Sequence, residues 1–392
     1  MKNILSTILL ALFLVSCVNK ESEQATTTLT LDASQAQEVK LSSFVSNVEF
    51  LKLSSEQNSY IGEIEKIEVV GDRIYVLDAR QSVALYVFDR EGTLQFKIAN
   101  YGQGPGEFIG PYDFAIDEKN GEIIIYDARS LKLCFYNIND GSYIKEINLD
   151  FQLMRFTVSG DHFIFFLNNR PSKYNHNILI TNRDLQVIDQ YLKQSPNMLG
   201  YHFSLPVNFS RFEDNTYFTA PSDYNIYRIG AKGTFETYKA VDFGKDALPD
   251  SYYKKHRENK SRRAEIGNAA YHVSNYFESD DFLFFRYNKG EERSHFYLES
   301  KRNSKIIHAD HHKLIDDIGI GPLIVWPNTM IDNTLVWYQN QRTLLRFLHN
   351  KKDSLSEMEW AEFVRKNRKL VSFAQTLTED DNPYLIFMEI DF

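Results

Sequence analysis

The chain of 392 residues has two cysteines, Cys17 and Cys134. That scarcity excludes a disulfide-stapled scaffold and a cysteine-rich zinc module. A basic excess is also missing. Lys and Arg number 44 against 53 Asp and Glu, for a formal net charge of −9. Nucleic-acid binding needs a basic face, so no nucleic-acid partner is expected. The catalytic signatures are missing too: no G-x-S-x-G elbow, no H-E-x-x-H and no reactive-cysteine setting. What the chain has in quantity is aromatic residues, 23 Tyr and 29 Phe. Flat rings pack well on pleated surfaces and lean the reading toward strands.

The N-terminus begins with Lys2 and the apolar run ILSTILLALFLV, followed by Ser16 and Cys17. The run is too short to span a bilayer and has the shape of an export signal. LVSC, residues 14–17, is similar to the lipobox of bacterial lipoproteins, in which a small residue precedes a cysteine that accepts a diacylglyceryl group. The plainer alternative is an ordinary signal peptide with a chance cysteine. Residues 1–16 are thus expected to be a signal peptide, with Cys17 lipidated and 17–40 a polar, flexible tether holding residues 41–392 at a membrane. With Cys17 modified, only Cys134 remains, in the alternating stretch LKLCFYN, where it reads as a small packed residue.

Internal repetition organises the rest. GDRIYVLDARQSVALYVFDREGTLQFKI (71–98) and NGEIIIYDARSLKLCFYNINDGSYIKEI (120–147) align, with Asp78 matching Asp127, Arg80 matching Arg129 and Gly92 matching Gly141. Each copy follows one more short strand, IGEIEKIEVV or PYDFAID, so each unit carries four antiparallel strands. That is the blade of a β-propeller. Weaker copies occupy 153–192, 206–241 and 271–308, and a sixth begins at IVWPNTMIDNTLVWYQ with TLLRFL as its next, short strand. The expected fold is all-β: a six-bladed β-propeller of four-stranded antiparallel blades. NVEFLKLS (47–54) and NPYLIFMEIDF (382–392) should complete the sixth blade, since an unclosed ring leaves two bare edges. Two stretches without period-two alternation, 248–267 and 354–370, predict short helical insertions, the second opening at Ser354 or Ser356 ahead of Glu357 and Glu359.

GQGPGEF (102–108) then reads as a turn from the outer strand of one blade to the inner strand of the next. It lacks the Lys-Ser/Thr of a phosphate loop, and no helix follows it. Together LVSC, NVEFLKL, the 71–98 repeat, GQGPGEF and the closing NPYLIFMEIDF resemble the six-bladed propeller lipoproteins of the Bacteroidetes, with blades similar to NHL repeats. The resemblance implies a fold and a place, an outer-membrane or cell-surface lipoprotein. It does not imply an activity.

Asp78 and Asp127 close strands ahead of turns and are expected to accept backbone N–H groups there. HADHH, with His308, His311 and His312, lacks ligand spacing and is expected in a surface loop, so no metal or cofactor is predicted. The channel mouth is the expected binding site, lined by Tyr101, Gln103, Glu107, Tyr112, His202, His272 and Trp326. Aromatic rings beside polar groups suit a glycan, a peptide or a partner protein. The alternative is a propeller enzyme, a metal-dependent lactonase, a lyase or a glycan-cleaving enzyme, with axial ligands drawn from Glu107, Asp113, His202, Glu213 and His272.

Overall fold

The computed structural model describes residues 27–55, 59–203, 205, 207–221, 223–249, 252, 266–291, 293–322 and 327–392. Three strands come first: β1 (Thr27–Thr30), β2 (Gln37–Lys40) and β3 (Val45–Lys52). Five blades follow in order, each a four-stranded antiparallel meander. The first has β4 (Lys66–Val70), β5 (Arg73–Asp78), β6 (Ala84–Asp89) and β7 (Leu94–Ile98). The second has β8 (Pro111–Asp117), β9 (Glu122–Asp127), β10 (Lys132–Asn137) and β11 (Tyr143–Asn148). The third has β12 (Arg155–Ser159), β13 (His162–Phe166), β14 (His176–Thr181) and β15 (Val187–Lys193). The fourth has β16 (Phe209–Phe212), β17 (Asn215–Thr219), β18 (Asn225–Gly230) and β19 (Phe235–Asp242). The fifth has β20 (Ala270–Glu278), β21 (Phe282–Lys289), β22 (Arg293–Ser300) and β23 (Ile306–Ile315).

The sixth blade is assembled from both ends of the chain. Its inner strands are β24 (Thr329–Ile331) and β25 (Thr334–Gln339). Three helices then intervene: α1 (Gln341–Ser354), α2 (Glu357–Lys366) and α3 (Arg368–Ala374). Next comes β26 (Tyr384–Ile390), and β3 pairs with it antiparallel as the outermost strand, Leu385 opposite Leu51. The ring is closed as expected. Asn382 pins the joint from a fully buried position: its Oδ1 accepts from Ile61 N–H, and its Nδ2 donates to the carbonyls of Ser54 and Ser59, each at 2.8 Å.

The core has the same ring logic. Alternation in each strand sends apolar side chains to both faces of a blade, where they meet the neighbouring blade. The buried apolar residues form six clusters, each shared by two adjacent blades. One joins Tyr75 and Leu77 of the first blade to Phe114 and Ile125 of the second. Another joins Leu385 of the sixth to Ile67 and Val76 of the first.

Three expectations need correction. From residue 27 onward the expected tether carries structure: β1 and β2 add as parallel fifth strands to β19 and β23, covering the outer edges of the fourth and fifth blades. Residues such as Leu29, Leu31 and Val39 give this polar segment enough apolar surface to dock. TLLRFL is helix α1 rather than a strand. Asn340 caps it by accepting from Arg342 N–H, and Leu344, Leu345, Phe347 and Leu348 sit at helical spacing against the core. HADHH lies within β23, the strand on which β2 adds, rather than in a loop, and its Asp310 and His311 are buried. The helix expected at 354–370 is found as α2 and part of α3, with Ser356 and Glu359 forming a reciprocal capping box. The other expected helical insertion, 248–267, lies mostly outside the described residues.

Candidate functional site

The innermost strands β4, β8, β12, β16, β20 and β24 stand round one axis. Between them is an open cavity of about 330 Å³ to which every blade contributes. Its polarity follows from strand periodicity. In β4 Ile67 turns into the wedge between blades, so its neighbours Lys66 and Glu68 face the axis. In β12 Phe156 and Val158 pack between blades, while Arg155 and Thr157 line the cavity.

Charges occupy the axis in a defined order. Lys66 Nζ donates to Asp113 Oδ1 at 2.8 Å and pairs with Glu68 Oε1 at 2.9 Å. Arg211 Nη2 reaches the other oxygen of Glu68 at 3.3 Å and the carbonyl of Ile116 at 3.0 Å. The second oxygen of Asp113, whose side chain is fully buried, accepts Phe156 N–H at 2.8 Å. Burial alone would disfavour the charged forms of Lys66 and Glu68. The Lys66 amine is nonetheless held above its ordinary pKa, because Asp113 and Glu68 outweigh the desolvation. The Glu68 carboxyl is likewise held below its ordinary value against desolvation, by Lys66 and Arg211. Glu65, at the end where the inner strands begin, is pushed upward by desolvation despite its 2.6 Å pair with Arg80.

Arg155 is different. Its guanidinium donates to the carbonyl of Tyr112 at 3.2 Å and lies 5.2 Å from the centre of the Tyr112 ring. It forms no ion pair among the described residues. At the opposite end of the cavity Glu118 and Glu213, both exposed on turns after β8 and β16, also have no ion-pair partner among the described residues.

The residues expected at the channel mouth are dispersed. Tyr101, Gln103 and Glu107 belong to the GQGPGEF connection, which packs on the outer strands of the second blade: Gly106 carbonyl accepts from Tyr136 O–H, and Gly106 N–H donates to Glu146. Tyr101 is 66% exposed, and the Glu107 carboxylate folds back to accept from Gly104 N–H at 2.8 Å. None of the three lines the axial cavity. The connection must cross the radial width of the blade, and its glycines are spent at the rim, so only its end at Tyr112 comes near the axis, touching Arg155 without lining the cavity itself. Tyr112 supports Arg155 from behind. His202 is exposed and its Nδ1 lies 3.0 Å from the carbonyl of Asn168. His272 meets the ring of Phe203, the residue next to His202, at 5.4 Å and is held near pKa 4 by burial. Neither histidine lines the cavity. Trp326 and Cys17 lie outside the described residues. Of the residues considered for an enzyme, Asp113 and Glu213 line the cavity and Glu107, His202 and His272 do not. Among the described residues no three His, Cys, Asp or Glu side chains are grouped to hold a metal ion.

Asp78 and Asp127 do what was expected of them. Asp78 accepts from the N–H groups of Gly62, Gln81 and Ser82, and Asp127 from Ile109, Arg129 and Ser130. Cys134 is a buried free thiol, pushed up to about 11 by desolvation, as suits a packed residue. The residues that sequence reasoning missed are Lys66, Glu68, Arg155 and Arg211. Their signal was present: charges at alternate positions in the first strand of a unit, where the opposite face is apolar.

These features define a six-bladed propeller with a charged, open axis. The chain belongs to the family of a domain of unknown function, DUF4934, whose sequence profile matches residues 26–389. No curated protein matches it. Among solved structures it is similar to a Bacteroides fragilis protein inferred to be exported, at 19% identity and a TM-score of 0.77, over 93% of this chain and 100% of that one. A looser likeness, at 10% identity and a TM-score of 0.46, is to a member of the duf4221 family from Bacteroides vulgatus, over 88% of this chain and 97% of that one. At such identities the likeness is one of fold. No helix among the described residues is long and apolar enough to cross a membrane.

Proposed function

We propose that this protein is an exported, lipid-anchored binding module that takes a small polar ligand, or the end of a larger one, into its axial cavity. The observation that carries this reading is the cavity wall. All six blades contribute to it, and beside apolar residues such as Ile67, Phe209 and Met330 its lining holds Lys66, Glu68, Asp113, Arg155 and Arg211. Stability does not require charges there, because a half-buried ion pair roughly breaks even against apolar packing. A cavity of this size with a few placed polar groups is the usual form of a small-ligand site. A glycan, a peptide or a segment of a partner protein each fits that description. Export and anchoring rest on the N-terminal run and LVSC, and the inferred export of the Bacteroides fragilis protein agrees with them. The site is read as non-catalytic.

Two experiments test this. A glycan and peptide library is screened by thermal shift against wild type and Ser210→Trp, which fills the cavity from β16. Ligands whose shift disappears in the folded variant support the reading; a library without any such ligand overturns it. For the anchor, Cys17→Ala is compared with wild type by membrane fractionation and by mass spectrometry of the mature N-terminus. The variant is expected in the soluble fraction, and an unacylated wild-type terminus overturns the anchor.

A further inference from the structure

We infer that the axial ligand is a short linear zwitterion, a peptide of about four residues with free termini, its carboxylate on Arg155 and its amine at Glu118 and Glu213. The inference rests on the axial cavity being a binding site, as proposed above, and names the chemistry that it selects.

Charge pairing along the axis leads to this. Taking each cation with its carboxylate gives Arg80 with Glu65, Lys66 with Asp113, and Arg211 with Glu68. The Lys66 and Arg211 pairs neutralise the middle of the cavity, while Arg80, outside the cavity lining, serves both Glu65 and Glu63 at its edge. Among the described residues that line the cavity, one cation without an ion pair is left where the inner strands begin, Arg155, and two carboxylates where they end, Glu118 and Glu213. The cavity is therefore polar from end to end. A simple anion is repelled from one end and a simple cation from the other, whereas a molecule with opposite charges at its ends satisfies both.

The Arg155 fork is also prepared for a carboxylate. Its Nη1 is committed to the Tyr112 carbonyl, and the Tyr112 ring supports its plane. The rest of the guanidinium lies on the cavity wall, where it can donate two parallel hydrogen bonds to one carboxylate. The two ends are also a peptide's length apart. The Phe156 N–H bond to Asp113 sets Arg155 level with the start of β8. Glu118 follows five residues after Asp113 in chain order, and at ~3.4 Å per residue the ends are roughly 17 Å apart. An extended chain covers that span in about four residues, once the reach of the side chains is allowed for.

The test is calorimetric titration of the full mature protein with tetra-alanine, its C-terminal amide and its N-acetyl form. The free peptide is expected to bind. The amide should bind roughly tenfold or more weakly, because it loses a charge-assisted pair, and the acetyl form should weaken by a smaller factor at the exposed carboxylates. Arg155→Gln should bind the free peptide and the amide alike. The doubly substituted Glu118→Gln, Glu213→Gln protein should make acetylation indifferent. The capped peptides on wild type need no variant to fold. Failure of the free peptide to bind, or caps that leave the affinity unchanged, overturns the inference. If a neutral oligosaccharide binds in a way that Ser210→Trp abolishes while tetra-alanine does not bind, the cavity is a site and the zwitterion is wrong. If nothing binds in a way that Ser210→Trp affects, both fall.

Discussion

The second and sixth blades have the same shape and opposite origins. The second, residues 111–148, is one continuous meander in which every strand pairs with its neighbour in sequence. The sixth is built from β24 and β25, a strand from the far C-terminus and another from near the N-terminus, with three helices inserted between. The first kind of blade is held by local turns, such as the N–H groups gathered on Asp127. The second kind is held by contacts between chain ends: Asn382 to Ile61, Ser54 and Ser59, and Lys52 to Asp381 at 2.9 Å. Local blades therefore advertise themselves in sequence, whereas the sixth is held by contacts between residues more than 300 positions apart.

The sharpest way to break the comparison is to delete 383–392. This removes β26, which pairs on both sides, and takes Tyr384, Ile386 and Met388 out of the core between the fifth and sixth blades, exposing partners such as Leu335 and Trp337. The expected outcome is aggregation or loss of the cooperative unfolding transition. A truncated chain that melts like the full one would show that the ring does not depend on this joint.

Acidification should separate the local blades from one another. Burial holds His308 and His311 of the fifth blade near pKa 4, below the ordinary 6.5. The folded state keeps both neutral while the unfolded chain takes up protons. Stability is thus full above pH 6.5 and falls as the pH drops toward 4, by roughly 2 kcal/mol per ring at pH 5. The second blade has no histidine. Hydrogen exchange at pH 5 should loosen β22 and β23 before β9 and β10, and equal protection in both would contradict this.

A smaller change tests the joint residue by residue. Asn382→Ala removes three hydrogen bonds at a buried site and orphans Ile61 N–H, at a cost of about 3 kcal/mol in urea unfolding. Asp127→Ala in the second blade should cost about 2 kcal/mol, since its donors lie in partly buried turns where water can replace it. If Asp127→Ala proves the more damaging, local turns rather than end-to-end contacts govern the ring. The smallest effect is expected in the insertion: Ser356→Ala should cost about 1 kcal/mol through loss of the α2 capping box.

Much of the fold was legible because it is short-range. The Asp-Ala-Arg turns after β5 and β9, the Gly-containing hairpins and the alternation of each strand depend on residues a few places apart, and they announce blades wherever the repeat is kept. TLLRFL was misread because six apolar-rich residues satisfy either period; the Asn340 cap and the packing of Leu344 decided for helix. The segment from 27 to 40 looked like tether because its few apolar residues gain nothing until a sheet edge is there to receive them. The channel-mouth residues were misplaced for a related reason. A connection's sequence shows that it turns, but how far it travels radially before turning depends on the width of the blade beneath it.

By itself, then, the amino-acid order determined the strand, the turn and the blade, since each is a local consequence of periodicity and backbone preference. Only the tertiary structure decided that Lys66, Asp113, Arg155 and Arg211, drawn from four separate blades, share one axis. Their meeting follows from closing the ring, and no pairwise spacing along the chain encodes the distance between strands that touch only after all six blades have docked.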